Sequence, residues 1–192
     1  ETAPEALARS RMDHVRGLLG LPPATNKILA NGMEAAFNDV TAAFMYVVEN
    51  ATHYDIDKSR IAIGGFSAGG TSALYAVFAC GVPAAAVVTL SGRMEAADIR
   101  HYIRGPHAAP IFQVLGESDL EYVRELTLEL ADHCGKIGVQ HSLAQVPRAG
   151  HFYPRHAKVV AGDGETSTVD QALIDFLEKS LGSSALAIPR LS

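Results

Sequence analysis

The amino-acid sequence predicts an α/β fold in which a mostly parallel sheet carries helices on both faces. Three observations support this expectation. Strand-like and helix-like segments alternate along the chain, the strand-like segments are continuously apolar, and 48% of the 192 residues are hydrophobic. Continuously apolar strands are typical of a parallel sheet that is covered on both faces. We therefore expect a single domain over residues 1–192, in which residues 1–32 show no convincing strand.

The first part of the chain is expected to form a helix and then one strand–helix–strand unit. Apolar residues recur on one helical face between Met33 and Asn50, which predicts a helix. The short apolar run over residues 60–65 predicts a strand, and the small residues over 68–79 predict a helix that packs closely against the sheet. The β-branched run over 84–90 predicts a second buried strand. Upstream of these elements, residues 5–19 have the composition of a further helix.

The second half of the chain continues the same alternation. Residues 110–115 and 139–146 predict strands, and residues 119–137 between them predict an amphipathic helix. A final helix is expected to start after Ser167 or Thr168, because either hydroxyl would cap its N-terminus. The order of elements therefore indicates crossover connections between parallel strands.

Charge and motif content exclude several classes of protein. The net charge is −5 and the basic residues are scattered, so we expect no nucleic-acid partner. No apolar run approaches the roughly 18 residues of a membrane span, so we expect a soluble protein, cytoplasmic or exported. No metal-binding motif is present, and we expect neither a metal nor a cofactor. Cys80 and Cys134 are expected to be unpaired thiols, with one disulfide as the alternative.

A glycine-rich turn follows the first predicted strand. Residues 64–70 read Gly-Gly-Phe-Ser-Ala-Gly-Gly. A serine raised from a sheet on a sharp strand-to-helix turn adopts a strained backbone, and the positions two before and two after it nearly collide. Gly65 and Gly69 occupy those two positions. The alternative is an ordinary Gly/Ser turn, but the strand before it and the helix after it favour a nucleophile elbow with Ser67 as the nucleophile.

An acid and a base are available at the ends of later strands. A serine hydroxyl needs a base to take its proton, and the base needs a carboxylate that orients it. Because the carboxyl ends of parallel strands share one edge, residues just after those strands converge. Asp119 follows the third predicted strand and His151 follows the fourth. Glu117 and His156 are nearby alternatives, and Asp119 has the alternative role of capping the following helix.

Three motifs together resemble signatures of the α/β-hydrolase superfamily, in its esterase, lipase and dienelactone-hydrolase-like branch. They are Ile-Ala-Ile-Gly-Gly-Phe-Ser-Ala-Gly-Gly over residues 61–70, Gly-Glu-Ser-Asp over 116–119 and Ala-Gly-His over 149–151. Their order of serine, aspartate and histidine is the order that this superfamily uses. The resemblance covers roughly residues 33–181 and implies an α/β-hydrolase fold.

The resemblance also implies roles for individual residues. Ser67 would be the nucleophile, Asp119 the triad acid and His151 the general base. Dienelactone hydrolases usually carry cysteine at the nucleophile position, so the serine favours an esterase-like member. The implied activity is a serine carboxylesterase that hydrolyses short-chain or exposed esters of small molecules through an acyl-enzyme. The alternatives are a serine peptidase of similar fold and a non-catalytic, hydrolase-like binding protein.

The sequence offers a candidate for only one of the two hydrogen-bond donors expected in an oxyanion hole. The backbone N–H of Ala68, at the start of the helix after the elbow, is expected to be one donor. In the family, a second donor comes from a loop after an early strand, often with a His-Gly-Gly type sequence, which this chain lacks. We therefore expect that a stretch before Met33, with several strands, is omitted from the sequence. A naturally shortened relative is the alternative.

The surroundings of the site suggest an open pocket. Only 19 residues, 91–109, separate two predicted strands where many superfamily members insert a helical cap. This segment is too short for such a cap, so we expect a site that is open from that side. Phe66, Phe152 and Tyr153 lie beside the triad candidates in sequence, either in the pocket wall or in the core.

Overall fold

The computed structural model describes residues 13–161, 164 and 166–182, and within them it shows one six-stranded sheet. The strands are β1 (Ala62–Phe66), β2 (Ala86–Leu90), β3 (Ile111–Gly116), β4 (His141–Val146), β5 (Lys158–Ala161) and β6 (Thr166–Thr168). The α-helices are α1 (Asn26–Glu49), α2 (Ala68–Phe78), α3 (Ala96–Tyr102), α4 (Glu121–Ile137) and α5 (Val169–Leu181), and a 3₁₀ helix covers Lys58–Arg60. The α/β class predicted from the sequence is confirmed.

The strands lie in sequence order across the sheet. β1 to β4 are parallel neighbours, whereas β5 pairs antiparallel with β4 and β6 pairs antiparallel with β5. The mostly parallel sheet agrees with the prediction, but the β5–β6 pair was not predicted. These two strands have only four and three residues, which is too short for a clear alternation of apolar and polar positions.

Helices cover both faces of this sheet, as predicted. Along β2 the side chains alternate, so that Val87 packs with α1 to α4 on one face and Val88 packs with α5 on the other. Leu74 and Leu130 are fully buried on the first face, and Phe176 is buried on the second. The carboxyl ends of β1, β3 and β4 therefore meet at one edge of a sheet that is fixed by packing from both sides.

Several helices differ from the sequence-based expectation at their ends. α1 begins at Asn26, earlier than Met33, because the Thr25 side chain accepts a hydrogen bond from the Ile28 N–H and caps the helix. α5, in contrast, begins after Thr168 as predicted, and the Thr168 side chain accepts from the Gln171 N–H. The short helix α3 was not predicted; its residue Ile99 is completely buried in the core.

The N-terminal expectations are tested only in part. Residues 13–18 are helical, and the remainder of the helix predicted over residues 5–19 falls largely outside the described residues. Within the part of the chain that the structure describes, no strand precedes β1, which pairs with β2 alone. The omitted stretch with additional strands stays a prediction. Both cysteines are free: Cys80 is exposed and Cys134 is buried.

The first residue of β4, His141, makes the stability of the fold depend on pH. Its Nε2 atom is buried without a hydrogen-bond partner among the described residues. Burial lowers the pKa of His141 below its ordinary value of 6.5, because desolvation penalises the imidazolium. The unfolded chain therefore takes up this proton more readily, and we expect the free energy of unfolding to fall as the pH drops below 6.5 towards the lower pKa of the folded state.

Urea unfolding between about pH 8 and about pH 5 checks this expectation. The His141→Gln variant, which has no imidazole at this position, should lose less stability on acidification than the unchanged protein. An equal loss in both proteins would show that His141 is not responsible.

Candidate active site

The site is built on the sharp turn between β1 and α2. Ser67 connects the two elements with φ 52° and ψ −118°, a conformation that residues other than glycine seldom adopt. Its backbone N–H donates to the Leu90 carbonyl at 2.7 Å, which ties the turn to the neighbouring strand. The side chain of Ser67 is thereby held at the carboxyl edge of the sheet, directly before the helix N-terminus.

The glycines around Ser67 explain how the strand and the helix approach so closely. A Cβ atom on Gly65 would lie 2.5 Å from the carbonyl carbon of Gly69, so only glycine fits there. A Cβ atom on Gly69 would meet nothing within 4 Å, so Gly69 contributes its backbone position and not the absence of a side chain. Gly70 is the second tight position, since its Cβ would lie 2.6 Å from Thr89 Oγ1.

A pair of alanine variants tests this asymmetry. We expect Gly65→Ala to lower the free energy of unfolding by about 1–3 kcal/mol, because the methyl group would overpack the turn. Gly69→Ala should be neutral or stabilising by up to about 1 kcal/mol, because alanine is the better helix former. Urea unfolding of both variants checks the prediction, and equal destabilisation by the two substitutions would contradict it.

The three predicted residues meet at the carboxyl edge of the sheet. His151 Nε2 lies 2.9 Å from Ser67 Oγ, and His151 Nδ1 lies 2.7 Å from Asp119 Oδ1. These distances are within hydrogen-bond range for both contacts. Since a carboxylate only accepts, Nδ1 carries the proton, and Nε2 presents a lone pair to the serine hydroxyl. The arrangement agrees with the expected nucleophile, base and orienting acid, and these roles stay predictions.

The two alternative residues lie elsewhere. Glu117 is exposed, and its Oε2 accepts from the Arg148 N–H at 2.7 Å, so it is engaged in the turn between β4 and the histidine loop. His156 is exposed at the surface. The carboxylate of Asp119, in contrast, is fully buried, and it accepts from the Leu120 N–H at 2.7 Å as well as from His151. The geometry therefore favours Asp119 and His151 over their neighbours.

Ala68 opens α2 immediately after Ser67. The first amide groups of an α-helix have no carbonyl partner within the helix, and the helix dipole adds partial positive charge at this end. Ala68 is exposed and directly follows Ser67 at the N-terminus of this helix. This placement agrees with the expected oxyanion donor, and the role itself stays a prediction.

Two phenylalanines form an aromatic rim beside the histidine. Phe66 is 37% exposed and Phe152 is 70% exposed, so neither belongs to the core. Their ring centroids are 5.5 Å apart and lie 5.2 and 5.1 Å from the imidazole of His151. We refer to Phe66 and Phe152 as the aromatic rim. Tyr153 instead packs against the core on the α5 face.

The segment 91–109 contributes to the core. Its helix α3 packs beside α4, and Met94 and Ile103 are completely buried. The described residues contain no cluster of three or more His, Cys, Asp or Glu side chains that is arranged for a metal ion. No helix in the described part of the chain has both the length and the apolar character that crossing a membrane requires.

One polar contact of the site, made by Ser91, was not predicted from the sequence. Ser91 lies directly after β2, and its Oγ donates to Asp119 Oδ2 at 2.6 Å. The Tyr153 hydroxyl lies 3.0 Å from the same Oγ. A signal was present, because Ser91 follows a buried strand at the same sheet edge as Ser67. A serine at a strand end is nevertheless common in turns, and the sequence does not show that it faces Asp119.

A nucleophile elbow, a histidine and a buried aspartate at the carboxyl edge of a mostly parallel sheet define a protein of the α/β-hydrolase superfamily. Comparison with protein families agrees with this class. The phospholipase/carboxylesterase family model matches residues 25–153, and the chain belongs to that family. No curated protein sequence matches the chain.

Solved structures support the fold. Esterase 2 of Thermogutta terrifontis, in a form phosphorylated by paraoxon, superposes with a TM-score of 0.61 at 17% identity, covering 80% of this chain and 65% of the esterase. A truncated carbohydrate esterase from gut microbiota superposes with a TM-score of 0.57 at 19% identity. The match covers 75% of this chain and 67% of the carbohydrate esterase. An uncharacterised protein from Bacillus cereus superposes with a TM-score of 0.61 at 18% identity. The match covers 80% of this chain and 44% of the Bacillus cereus protein. The chain thus spans about two thirds of the two esterases.

Proposed function

We propose that this chain is a serine carboxylesterase that acts through an acyl-enzyme. The observation that carries the proposal is the continuous contact from Ser67 Oγ through His151 to Asp119, with distances of 2.9 and 2.7 Å. The membership of the phospholipase/carboxylesterase family supports the same type of chemistry.

The chemical steps follow from these contacts. Ser67 Oγ attacks the ester carbonyl while His151 Nε2 takes its proton, and the imidazolium that forms is stabilised by the Asp119 carboxylate. The oxygen of the tetrahedral intermediate gains negative charge, which the Ala68 N–H and the α2 dipole stabilise. As the intermediate collapses, the bond to the alcohol breaks and His151 returns the proton to the leaving oxygen. Water then repeats the sequence on the acyl-enzyme.

The surroundings of Ser67 favour short-chain or exposed esters. Among the described residues, Ser67 is partly exposed and Ala68 is exposed, while α3 packs into the core. A long acyl chain gains most from an enclosed apolar tunnel, whereas an open site leaves much of such a chain in water. The aromatic rim offers one apolar wall, which is enough for a small acyl or alcohol group.

A panel of p-nitrophenyl esters with acetyl, butyryl, octanoyl and lauroyl chains tests this substrate class, together with p-nitroacetanilide. We expect kcat/KM to be highest for acetate or butyrate and to fall for the longer chains, with negligible anilide cleavage. A preference for laurate would contradict the exposed site, and efficient anilide cleavage would favour a peptidase. Hydrolysis no faster than in buffer would support a binding protein instead.

A further inference from the structure

Ser91 holds the side of Asp119 that faces away from the histidine. Its Oγ donates to Asp119 Oδ2 at 2.6 Å, while Oδ1 accepts from His151 and from the Leu120 N–H. Ser91 is 2% exposed, so water does not compete for this hydrogen bond. Both carboxylate oxygens of Asp119 therefore accept hydrogen bonds, and these bonds fix the plane of the carboxylate relative to the imidazole ring.

Tyr153 continues this contact on the far side of Ser91. The phenol oxygen lies 3.0 Å from Ser91 Oγ and 3.2 Å from the Val114 carbonyl oxygen. Burial raises the pKa of Tyr153 to about 12, so the phenol keeps its proton at neutral pH. A carboxylate only accepts, so the single hydroxyl proton of Ser91 is committed to Asp119. Tyr153 must then be the donor to Ser91 and share its proton with the Val114 carbonyl.

The backbone conformation of Ser91 supports a positioning role for its hydroxyl group. Its φ is 51°, in the left-handed region that favours glycine, and the chain continues with Gly92. A non-glycine residue in this region costs free energy that the surroundings must offset. Two described hydrogen bonds offset it: the Ser91 N–H donates to the Val114 carbonyl at 2.8 Å, and the Ser91 hydroxyl donates to the buried Asp119 carboxylate. Tyr153 lies two residues after His151, so the loop that carries the base also carries this donor.

We propose that Ser91 and Tyr153 are positioning residues that act in series, Tyr153 orienting the Ser91 hydroxyl and Ser91 orienting the Asp119 carboxylate. The inference rests on the proposed function, because its purpose is to keep His151 in line with Ser67. Without the Ser91 hydroxyl, Oδ2 is left buried and unpaired, and the carboxylate turns to seek another donor. The hydrogen bond to His151 Nδ1 then loses its alignment.

Four variants test this series: Ser91→Ala, Ser91→Gly, Tyr153→Phe and the double variant S91A/Y153F. Ser91→Gly removes the hydroxyl and also relieves the positive φ, so it separates the hydrogen bond from backbone strain. Ser180→Ala is the matched control, because its hydroxyl is buried in α5 without a partner among the described residues. Each variant is characterised by kcat and KM on p-nitrophenyl acetate, by thermal melting, and by the low-field proton resonance of His151 Nδ1–H.

We expect both Ser91 variants to lower kcat about tenfold and Tyr153→Phe to lower it about threefold, with KM within about twofold of the unchanged protein. Because the two residues act in series, the double variant should be no slower than Ser91→Ala alone. The Nδ1–H resonance should shift or broaden in both Ser91 variants and stay in place in Ser180→Ala.

Three results would overturn the inference. The first is an unchanged kcat and resonance in both Ser91 variants. The second is recovery of kcat and melting temperature in Ser91→Gly, which would assign the effect to strain alone. The third is multiplication of the two losses in the double variant, which would mean independent roles. If the unchanged protein hydrolyses no ester, the proposed function fails, and the resonance still decides whether Ser91 orients Asp119.

Discussion

Replacing Ser67 by alanine is expected to lower kcat for p-nitrophenyl acetate by at least about 10⁴-fold. In the proposed mechanism the hydroxyl oxygen forms the acyl bond, and no other serine side chain contacts His151 Nε2 within the residues that the structure describes. The substitution removes one oxygen from a partly exposed position, so the fold should be unaffected. Stopped-flow and steady-state rates of p-nitrophenolate release measure the effect.

The matched control is Ser59→Ala. Ser59 is exposed in the 3₁₀ helix, and its hydroxyl donates only to Asp57 among the described contacts. We expect this variant to keep the kcat and the initial burst of the unchanged protein. If Ser67→Ala kept a kcat within about tenfold of the unchanged protein while its melting temperature was unchanged, a different nucleophile would be at work.

Replacing Asp119 by asparagine is expected to lower kcat by about 10⁴-fold. Three donors point at this carboxylate, from His151 Nδ1, the Leu120 N–H and Ser91 Oγ. If the asparagine NH₂ faces His151, the imidazole must place its proton on Nε2 and cannot accept the proton of Ser67. If the amide oxygen faces His151, the tautomer is kept, but the negative charge that stabilises the imidazolium is lost.

Glu117→Gln is the control for this prediction. It makes the same change from carboxylate to amide two residues away, at an exposed side chain that accepts from the Arg148 N–H. We expect its kcat to stay within about twofold of the unchanged protein, since surface substitutions seldom exceed about 0.5 kcal/mol. A larger loss in Glu117→Gln than in Asp119→Asn would reassign the acid of the site.

The sequence predicts the backbone of the site well because its parts depend on local rules. The elbow is encoded within seven residues by the close approach at Gly65, and Asp119 and His151 each follow an apolar strand of a parallel sheet. Placing polar residues at strand ends is sufficient to bring them together, because all such ends share one edge. From the sequence, His151 could be preferred to the alternative His156 only by family resemblance. The structure separates them, because His156 is exposed at the surface.

The remaining features depend on long-range contacts that no local pattern encodes. α3 has seven residues and forms because Ile99 and Ile103 are buried against α4, although its sequence shows no long helical periodicity. The β5–β6 pair exists because β4 offers an edge to pair with. The link between Ser91 and Asp119 spans 28 residues of sequence, and only the crossover through α3 brings the two side chains within 2.6 Å.

Covalent trapping tests the central claim, that Ser67 is the nucleophile, most directly. The protein is incubated with paraoxon, which transfers its diethylphosphoryl group to an activated serine oxygen and releases p-nitrophenolate. Intact mass and peptide mapping then locate the adduct. We expect one phosphoryl group per chain, carried by the peptide that contains Ser67, and no adduct in Ser67→Ala. A protein that turns over esters yet carries the adduct on another residue, or carries none, would contradict the account.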